Sequence, residues 1–130
     1  MAHILLVDDE PALLKILSDM LALEGHQTMA VVRGDAAMAR IIGKSFDLAI
    51  TDIRMNPIDG LQVLATARRL QPDMPVIMLT AYDSESARKR AAELGAYAFI
   101  TKPFEPDELV SVVTGALESL DTAGGSHEQD

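Results

Sequence analysis

The chain has 130 residues, a size at which one compact core forms, so we expect a single domain. Its 20 acidic and 11 basic side chains give a net charge of −9 at pH 7, which disfavours direct binding to nucleic acid or to an anionic membrane. The absence of cysteine excludes a disulfide framework and a thiolate metal site. Neither a signal-peptide pattern nor an apolar stretch of the roughly 18 residues needed for a membrane span is present, so we expect a cytoplasmic location.

Short apolar runs alternate with segments of helical periodicity along the chain. The runs lie at residues 4–7, 29–32, 48–50, 76–79 and 98–100. Runs that are apolar throughout are typical of strands buried on both faces of a parallel sheet. Between them, apolar residues recur every three or four positions, as in Leu14, Leu17 and Leu21, and give each helix one apolar face. The pattern predicts an α/β fold of five βα units, a doubly wound, five-stranded parallel sheet with helices on both faces.

Local signals mark where these helices begin and end. Gly25, Gly43 and Gly95 each follow a predicted helix, where a left-handed residue commonly closes the last turn. Asp59 stands at a predicted helix start. From residue 121 the sequence becomes polar, so we expect a domain over residues 1–120 and a polar C-terminal tail or linker stub over residues 121–130.

Polar side chains follow four of the predicted strands, at the edge where functional groups collect in open parallel sheets. They are Asp8, Asp9 and Glu10 after the first strand, Asp52 after the third, Thr80 after the fourth and Lys102 after the fifth. Carboxylates gathered at close range repel one another unless a cation lies between them. Mg²⁺ prefers such oxygen ligands, whereas the lack of cysteine or a close histidine pair makes a zinc site improbable.

An aspartate held beside Mg²⁺ can attack phosphorus and form an aspartyl-phosphate. In that chemistry Lys102 would neutralise charge on the transferred phosphoryl group, and the Thr80 hydroxyl would donate to one of its oxygens. Each residue alone also has an ordinary structural explanation. Asp9 could cap a helix, Asp52 could form a turn, Thr80 could end a strand and Lys102 could be solvated. The compatible groups at four strand ends together favour a phosphoryl acceptor.

The sequence resembles the receiver domains of bacterial two-component response regulators over about residues 3–120. The motifs that carry the resemblance are residues 5–10 (LLVDDE), 52–55 (DIRM), 59–60 (DG), 79–81 (LTA), 95–96 (GA) and 102–104 (KPF). The resemblance implies a flavodoxin-like fold with strand order 2-1-3-4-5. It also implies a phosphorylation-controlled signalling switch that assists its own phosphorylation and dephosphorylation, not a multiple-turnover enzyme.

By this resemblance, Asp52 accepts a phosphoryl group from a phosphohistidine of a sensor histidine kinase or a phosphotransfer protein. Mg²⁺ would be held by the carboxylates of Asp9 and Asp52, by Asp8 through water, and by the backbone carbonyl of Arg54. The bond between Lys102 and Pro103 is expected to be cis, a geometry that costs little before proline.

The resemblance also implies how the signal leaves the site. Phe99 occupies the place of a switch aromatic that turns inward as Thr80 moves toward the phosphoryl group. The surface of the fourth helix, fifth strand and fifth helix, which includes Arg88, Lys89 and Arg90, would then contact an output domain or a second copy of the chain.

One loop departs from the family pattern, and two bulky residues flank the pocket. Asn56 stands where many relatives have proline, with Pro57 following, so the loop after Asp52 is expected to bend differently. Arg54 and Tyr82 each lie two residues beyond a pocket residue, and we expect these bulky side chains to slow loss of the phosphoryl group.

Three other classes of protein compete with this interpretation. A phosphatase of the haloacid-dehalogenase type would need an acid two residues after its nucleophile, where this chain has Arg54, which does not transfer protons at neutral pH. A flavodoxin-like electron carrier would need phosphate-binding donors in the first loop, where Asp8, Asp9 and Glu10 stand. A receiver-like domain without phosphorylation would serve only as a binding module, yet the predicted pocket retains all its groups.

Overall fold

The computed structural model describes residues 1–55 and 58–128, with side chains described up to residue 119. The elements in chain order are β1 (His3–Val7), α1 (Pro11–Leu23), β2 (Gln27–Val31), α2 (Gly34–Gly43), β3 (Leu48–Thr51), α3 (Gly60–Leu70), β4 (Val76–Thr80), α4 (Glu85–Glu93), β5 (Ala98–Thr101) and α5 (Pro106–Glu128). Strands and helices therefore alternate five times, as the apolar runs predict. The departure at Asn56 and Pro57 lies outside the described residues.

The five strands form one parallel sheet in the order β2-β1-β3-β4-β5, which confirms the predicted topology. Val7 at the end of β1 pairs with Val31 of β2 and Thr51 of β3, and Thr80 of β4 pairs with Thr101 of β5. Because the strands end in register, the residues that follow them meet at one edge of the sheet.

Alternation along the buried strands divides the core into two layers, one on each face of the sheet. In β1, Leu5 and Val7 face α2, α3 and α4, whereas Ile4 and Leu6 face α1 and α5. Both sets of side chains are almost completely buried. This packing confirms the helices on both faces and fixes the strand ends that carry the polar residues.

Some boundaries differ from the sequence-based predictions. The first strand residue of β2 is Gln27 rather than Met29, because backbone pairing with β1 continues into the polar end of the strand. Gly25 and Gly95 have the predicted left-handed φ of 88° and 94°. The prediction that Gly43 closes α2 in a left-handed conformation is wrong. Gly43 is the last residue of the helix, and Lys44, which follows it, has an extended backbone.

The ends of the other helices also bear on the predictions. Asp59 caps α3 through a reciprocal box with Gln62, as its position predicts. Glu10 is the residue that precedes α1, and its side chain makes no capping hydrogen bond. Asp9 therefore does not cap this helix. Helix α5 continues to Glu128, and the domain boundary at residue 120 stays a prediction. Within the described part of the chain, no helix is both long and apolar enough to cross a membrane.

Candidate functional site

Lys102 lies at the centre of a group of acidic side chains at the carboxyl edge of the sheet. Its Nζ donates hydrogen bonds to Asp8 Oδ2 at 2.7 Å, Asp52 Oδ2 at 3.0 Å and Glu10 Oε1 at 3.2 Å. The side chains of Lys102, Asp8 and Asp52 are only 12%, 3% and 9% exposed. Three segments that are distant in the sequence therefore contribute to one largely buried ion cluster.

The strand ladder fixes the backbone positions of these residues. The N–H of Asp8 donates to Val31 O, and the N–H of Asp52 donates to Val7 O, each one residue beyond a strand. The N–H of Lys102 donates to Thr80 O in the same way. The site is thus built on rigid strand ends rather than on free loops.

Four carboxylates converge beside the lysine. One oxygen each of Asp8, Asp9, Glu10 and Asp52 lies within 4.8 Å of the others, with Asp8 and Asp52 buried and the other two exposed. The donors are all hard oxygen ligands, the type that Mg²⁺ prefers. The structure thus brings together the three carboxylates of the expected metal set and adds Glu10, whose adjacency to Asp8 and Asp9 was its only signal in the sequence.

Burial and hydrogen bonds within the cluster shift the pKa values of Asp8 and Lys102. Burial raises the pKa of Asp8 above its ordinary value, although hydrogen bonds from Lys102 and from the backbone N–H of Glu10 oppose this effect. Burial also disfavours the Lys102 ammonium, but hydrogen bonds to Asp8 and Asp52 outweigh it and raise the pKa of Lys102. The cluster therefore favours the charged form of Lys102, whereas burial favours the neutral form of Asp8.

Asp52 is oriented by donors on both carboxylate oxygens. Its Oδ1 accepts from the backbone N–H groups of Ile53 at 2.6 Å and Arg54 at 3.3 Å, while Oδ2 faces Lys102. Gly60 packs against this segment: its N–H donates to Ile53 O at 2.8 Å, and a Cβ on Gly60 would overlap the carbonyl oxygen of Asp52. Only glycine fits here, which gives the Asp59–Gly60 motif a role in placing Asp52.

The expected switch residues Thr80 and Phe99 lie in β4 and β5, the two strands at whose ends the loop before α4 and Lys102 follow. Thr80 is fully buried, and its Oγ1 accepts a hydrogen bond from the backbone N–H of Tyr82 at 3.0 Å. Phe99 is half-buried and packs against the core layer of α2, α3 and α4. The bond between Lys102 and Pro103 is cis, as the resemblance implies.

Arg54 and Tyr82 form a stacked pair at the rim. The Arg54 guanidinium carbon lies 3.9 Å from the centroid of the Tyr82 ring, a cation–π contact between two exposed side chains. Both line a cleft of 550 Å³ that also contacts Asp9 and Asp59. The sequence places both residues near the pocket, but their mutual contact depends on side-chain conformations that spacing does not determine.

Comparisons with known proteins agree with this geometry. A family profile described as "Response regulator receiver domain" matches residues 4–114. The transcriptional regulatory protein GlrR of Escherichia coli (strain K12) is 40% identical over 117 residues, which cover 90% of this chain and 26% of GlrR. The chain thus spans about a quarter of the length of that relative.

Solved structures show the same fold. A receiver domain protein (CheY-like) from Methanospirillum hungatei JF-1 superposes with a TM-score of 0.92 at 30% identity, covering 95% of this chain and 98% of that one. TrrA from Thermotoga maritima, solved in complex with Mg(2+)-BeF, superposes with a TM-score of 0.82 at 34% identity, covering 90% and 100% of the two chains. With its profile match, strand order and strand-end residues, this chain belongs to the response regulator receiver domain family, the signalling switches of two-component systems.

Proposed function

We propose that this domain accepts a phosphoryl group on Asp52 in a Mg²⁺-dependent reaction, and that the donor is a phosphohistidine of a sensor histidine kinase or a phosphotransfer protein. The observation that carries the proposal is the contact of one buried lysine with Asp52 and Asp8 inside a cluster of four carboxylates. A complex of the relative TrrA with Mg(2+)-BeF supports the same chemistry.

In this reaction an Asp52 carboxylate oxygen attacks phosphorus with a lone pair. A P–O bond forms, the P–N bond of the phosphohistidine breaks, and its electron pair returns to the imidazole nitrogen. The Lys102 ammonium, already within 3.0 Å of Asp52 Oδ2, neutralises charge on the transferred group. The backbone N–H groups that hold Oδ1 keep the carboxylate from rotating during the attack.

The carboxylates of Asp8, Asp9 and Asp52, with the backbone carbonyl of Arg54, are the proposed ligands of Mg²⁺, and Asp8 acts through water. When bound, the ion supplies positive charge that offsets the repulsion between phosphoryl and carboxylate oxygens. Exposed Asp9 and Glu10 leave one side of the cluster open for the donor to approach.

A partner then recognises the phosphorylated state at the surface of α4, β5 and α5. The Thr80 hydroxyl donates to a phosphoryl oxygen, and the Phe99 ring moves with it. This movement shifts a pre-existing equilibrium between inactive and active arrangements. The surface of α4, β5 and α5, which includes Arg88, Lys89 and Arg90, contacts an output domain or a second copy. GlrR is a transcriptional regulatory protein of which this match covers only 26%, so an output activity beyond this chain belongs to the proposal.

The proposal also concerns whether the protein is an enzyme and in which compartment it acts. Arg54 stands where a haloacid-dehalogenase phosphatase would need its general acid and base, which supports a switch rather than a turnover enzyme. We also propose that the domain acts in the cytoplasm.

The test is the intact mass of the protein after incubation with acetyl phosphate and Mg²⁺. The wild type should gain one phosphoryl group, Asp52→Asn should gain none, and chelation of the metal should abolish the gain. Steady release of inorganic phosphate from many substrates would instead support the phosphatase. An unchanged wild-type mass would support the binding module.

A further inference from the structure

A second polar cluster lies on the surface beside the phosphorylation site. The guanidinium of Arg88 makes a two-bond contact with the Asp83 carboxylate: Nε donates to Oδ1 at 2.5 Å and Nη2 to Oδ2 at 3.2 Å. The same Nη2 donates to Thr101 Oγ1 at 2.9 Å, and that hydroxyl donates to Asp83 Oδ2 at 3.2 Å. The three side chains thus form a closed triangle of hydrogen bonds, which we call the Asp83–Arg88–Thr101 cluster.

The cluster connects the β4–α4 loop, helix α4 and strand β5. The loop follows Thr80, and β5 is followed by Lys102. Asp83 lies in the β4–α4 loop, three residues after Thr80, whereas Arg88 belongs to α4. Thr101 ends β5 and directly precedes Lys102. In this arrangement the loop is also tied to the site, because the N–H of Tyr82 donates to the Thr80 hydroxyl oxygen.

The cluster also fixes an aromatic ring. The guanidinium carbon of Arg88 lies 4.6 Å from the centroid of the Phe99 ring, close enough for a cation–π contact. The half-buried Phe99 also packs against the core layer of α2, α3 and α4. The ring therefore contacts both the core and a guanidinium that is itself bonded to Asp83 and Thr101.

We propose that the Asp83–Arg88–Thr101 cluster is a resting-state latch, which holds the β4–α4 loop and the Phe99 ring in the unphosphorylated arrangement. This inference rests on the proposed phosphorylation of Asp52. In the proposed function the Thr80 side chain moves toward the phosphoryl group, and its hydroxyl oxygen is bonded to the Tyr82 N–H of the loop. This movement disturbs the loop, and Asp83, the residue after Tyr82, shifts relative to Arg88.

The latch and the phosphoryl group therefore favour different arrangements of the β4–α4 loop. If the latch forms only in the resting arrangement, breaking it makes the phosphorylated arrangement easier to reach and raises the affinity for a phosphoryl mimic. Exposed ion pairs are weak, so the expected gain in affinity is modest, about two- to fivefold.

The experiment titrates the 130-residue chain with beryllofluoride in the presence of Mg²⁺ and compares the dissociation constants by calorimetry. The test variants are Arg88→Gln, Asp83→Asn and Thr101→Val, together with the double variant Asp83→Asn/Arg88→Gln. The matched control is Arg69→Gln, which makes the same substitution at an exposed residue of α3, away from the α4-β5-α5 surface and from the described hydrogen bonds of the cluster.

Each test variant should bind beryllofluoride more tightly than the wild type, whereas the control should match the wild type. The double variant should gain no more than either single variant, because both remove one coupled interaction. A variant that only loosened the fold would bind the mimic equally or less tightly, and that result would overturn the latch. If the wild type itself fails to bind beryllofluoride, the proposed phosphorylation fails first. If it binds and Arg88→Gln equals Arg69→Gln, the latch alone is wrong.

Discussion

Replacing Lys102 by methionine tests the ion cluster directly. Methionine keeps an unbranched side chain of similar size but removes the ammonium that contacts Asp8, Asp52 and Glu10. Without that cation, buried carboxylates face one another with no counter-charge. We expect Lys102→Met to be less stable than the wild type in metal-free buffer, and Mg²⁺ to restore a large part of the loss.

The magnitude follows from burial and distance. Removing one partner of a buried ion pair costs about 3–5 kcal/mol, and the open side of this cluster lowers that to about 2–3 kcal/mol. Coulomb's law gives a similar scale, since two unit charges 4.8 Å apart repel by about 3.5 kcal/mol at an effective dielectric constant of about 20. Such a loss is a large fraction of the stability of a small domain.

The assay is urea unfolding followed by far-ultraviolet circular dichroism, with EDTA and then with Mg²⁺. The matched control is Lys15→Met, which breaks a surface pair with Asp19 whose lysine is 78% exposed and should cost at most about 0.5 kcal/mol. The reasoning would be refuted if Lys102→Met were no less stable than Lys15→Met. It would also fail if Mg²⁺ left the difference unchanged.

Three further predictions test other parts of the site. Gly60→Ala should lose about 1–3 kcal/mol of unfolding free energy and phosphorylate more slowly, because its Cβ overlaps the carbonyl of the phosphoacceptor. Gly115→Ala, whose Cβ would meet only the hydroxyl of a tyrosine at 3.4 Å, is the control, and equal urea midpoints would contradict this account. Asp8→Asn should stabilise the metal-free protein at neutral pH, because the raised pKa of Asp8 means that its ionisation costs folding free energy above that pKa. The gain should vanish as the pH falls toward 3.8, so a pH-independent difference in chemical unfolding would oppose it. Arg54→Ala and Tyr82→Ala should each shorten the phosphoryl lifetime severalfold, measured as decay of the phosphorylated mass, and unchanged lifetimes would argue against shielding by the stacked pair.

The fold follows from the sequence because its main signals are local. Apolar runs mark buried parallel strands, and parallel strands must end at a common edge, so the meeting of Asp8, Asp52 and Lys102 is a consequence of topology. The error at Gly43 shows the limit of this reasoning. Glycine permits a left-handed closure but does not require one, and the chain after α2 continues in extended backbone.

The contacts among side chains are less predictable from spacing. Glu10 is the third carboxylate that Lys102 contacts, and this contact depends on side-chain rotamers that packing and charge determine in the folded protein. The same holds for Arg88, which lies 13 residues before Thr101 in sequence yet hydrogen-bonds to it. A charged residue on a helix normally suggests only a solvated surface, so no sequence pattern indicates such a cluster.

A crystal structure of the domain with Mg²⁺ and beryllofluoride tests the central claim most directly. The account predicts the mimic bonded to an oxygen of Asp52, the metal among the carboxylates of the cluster, and the Lys102 amine within hydrogen-bond distance of a fluoride. A mimic bound elsewhere, or a free Asp52 with Lys102 turned to solvent, would contradict it.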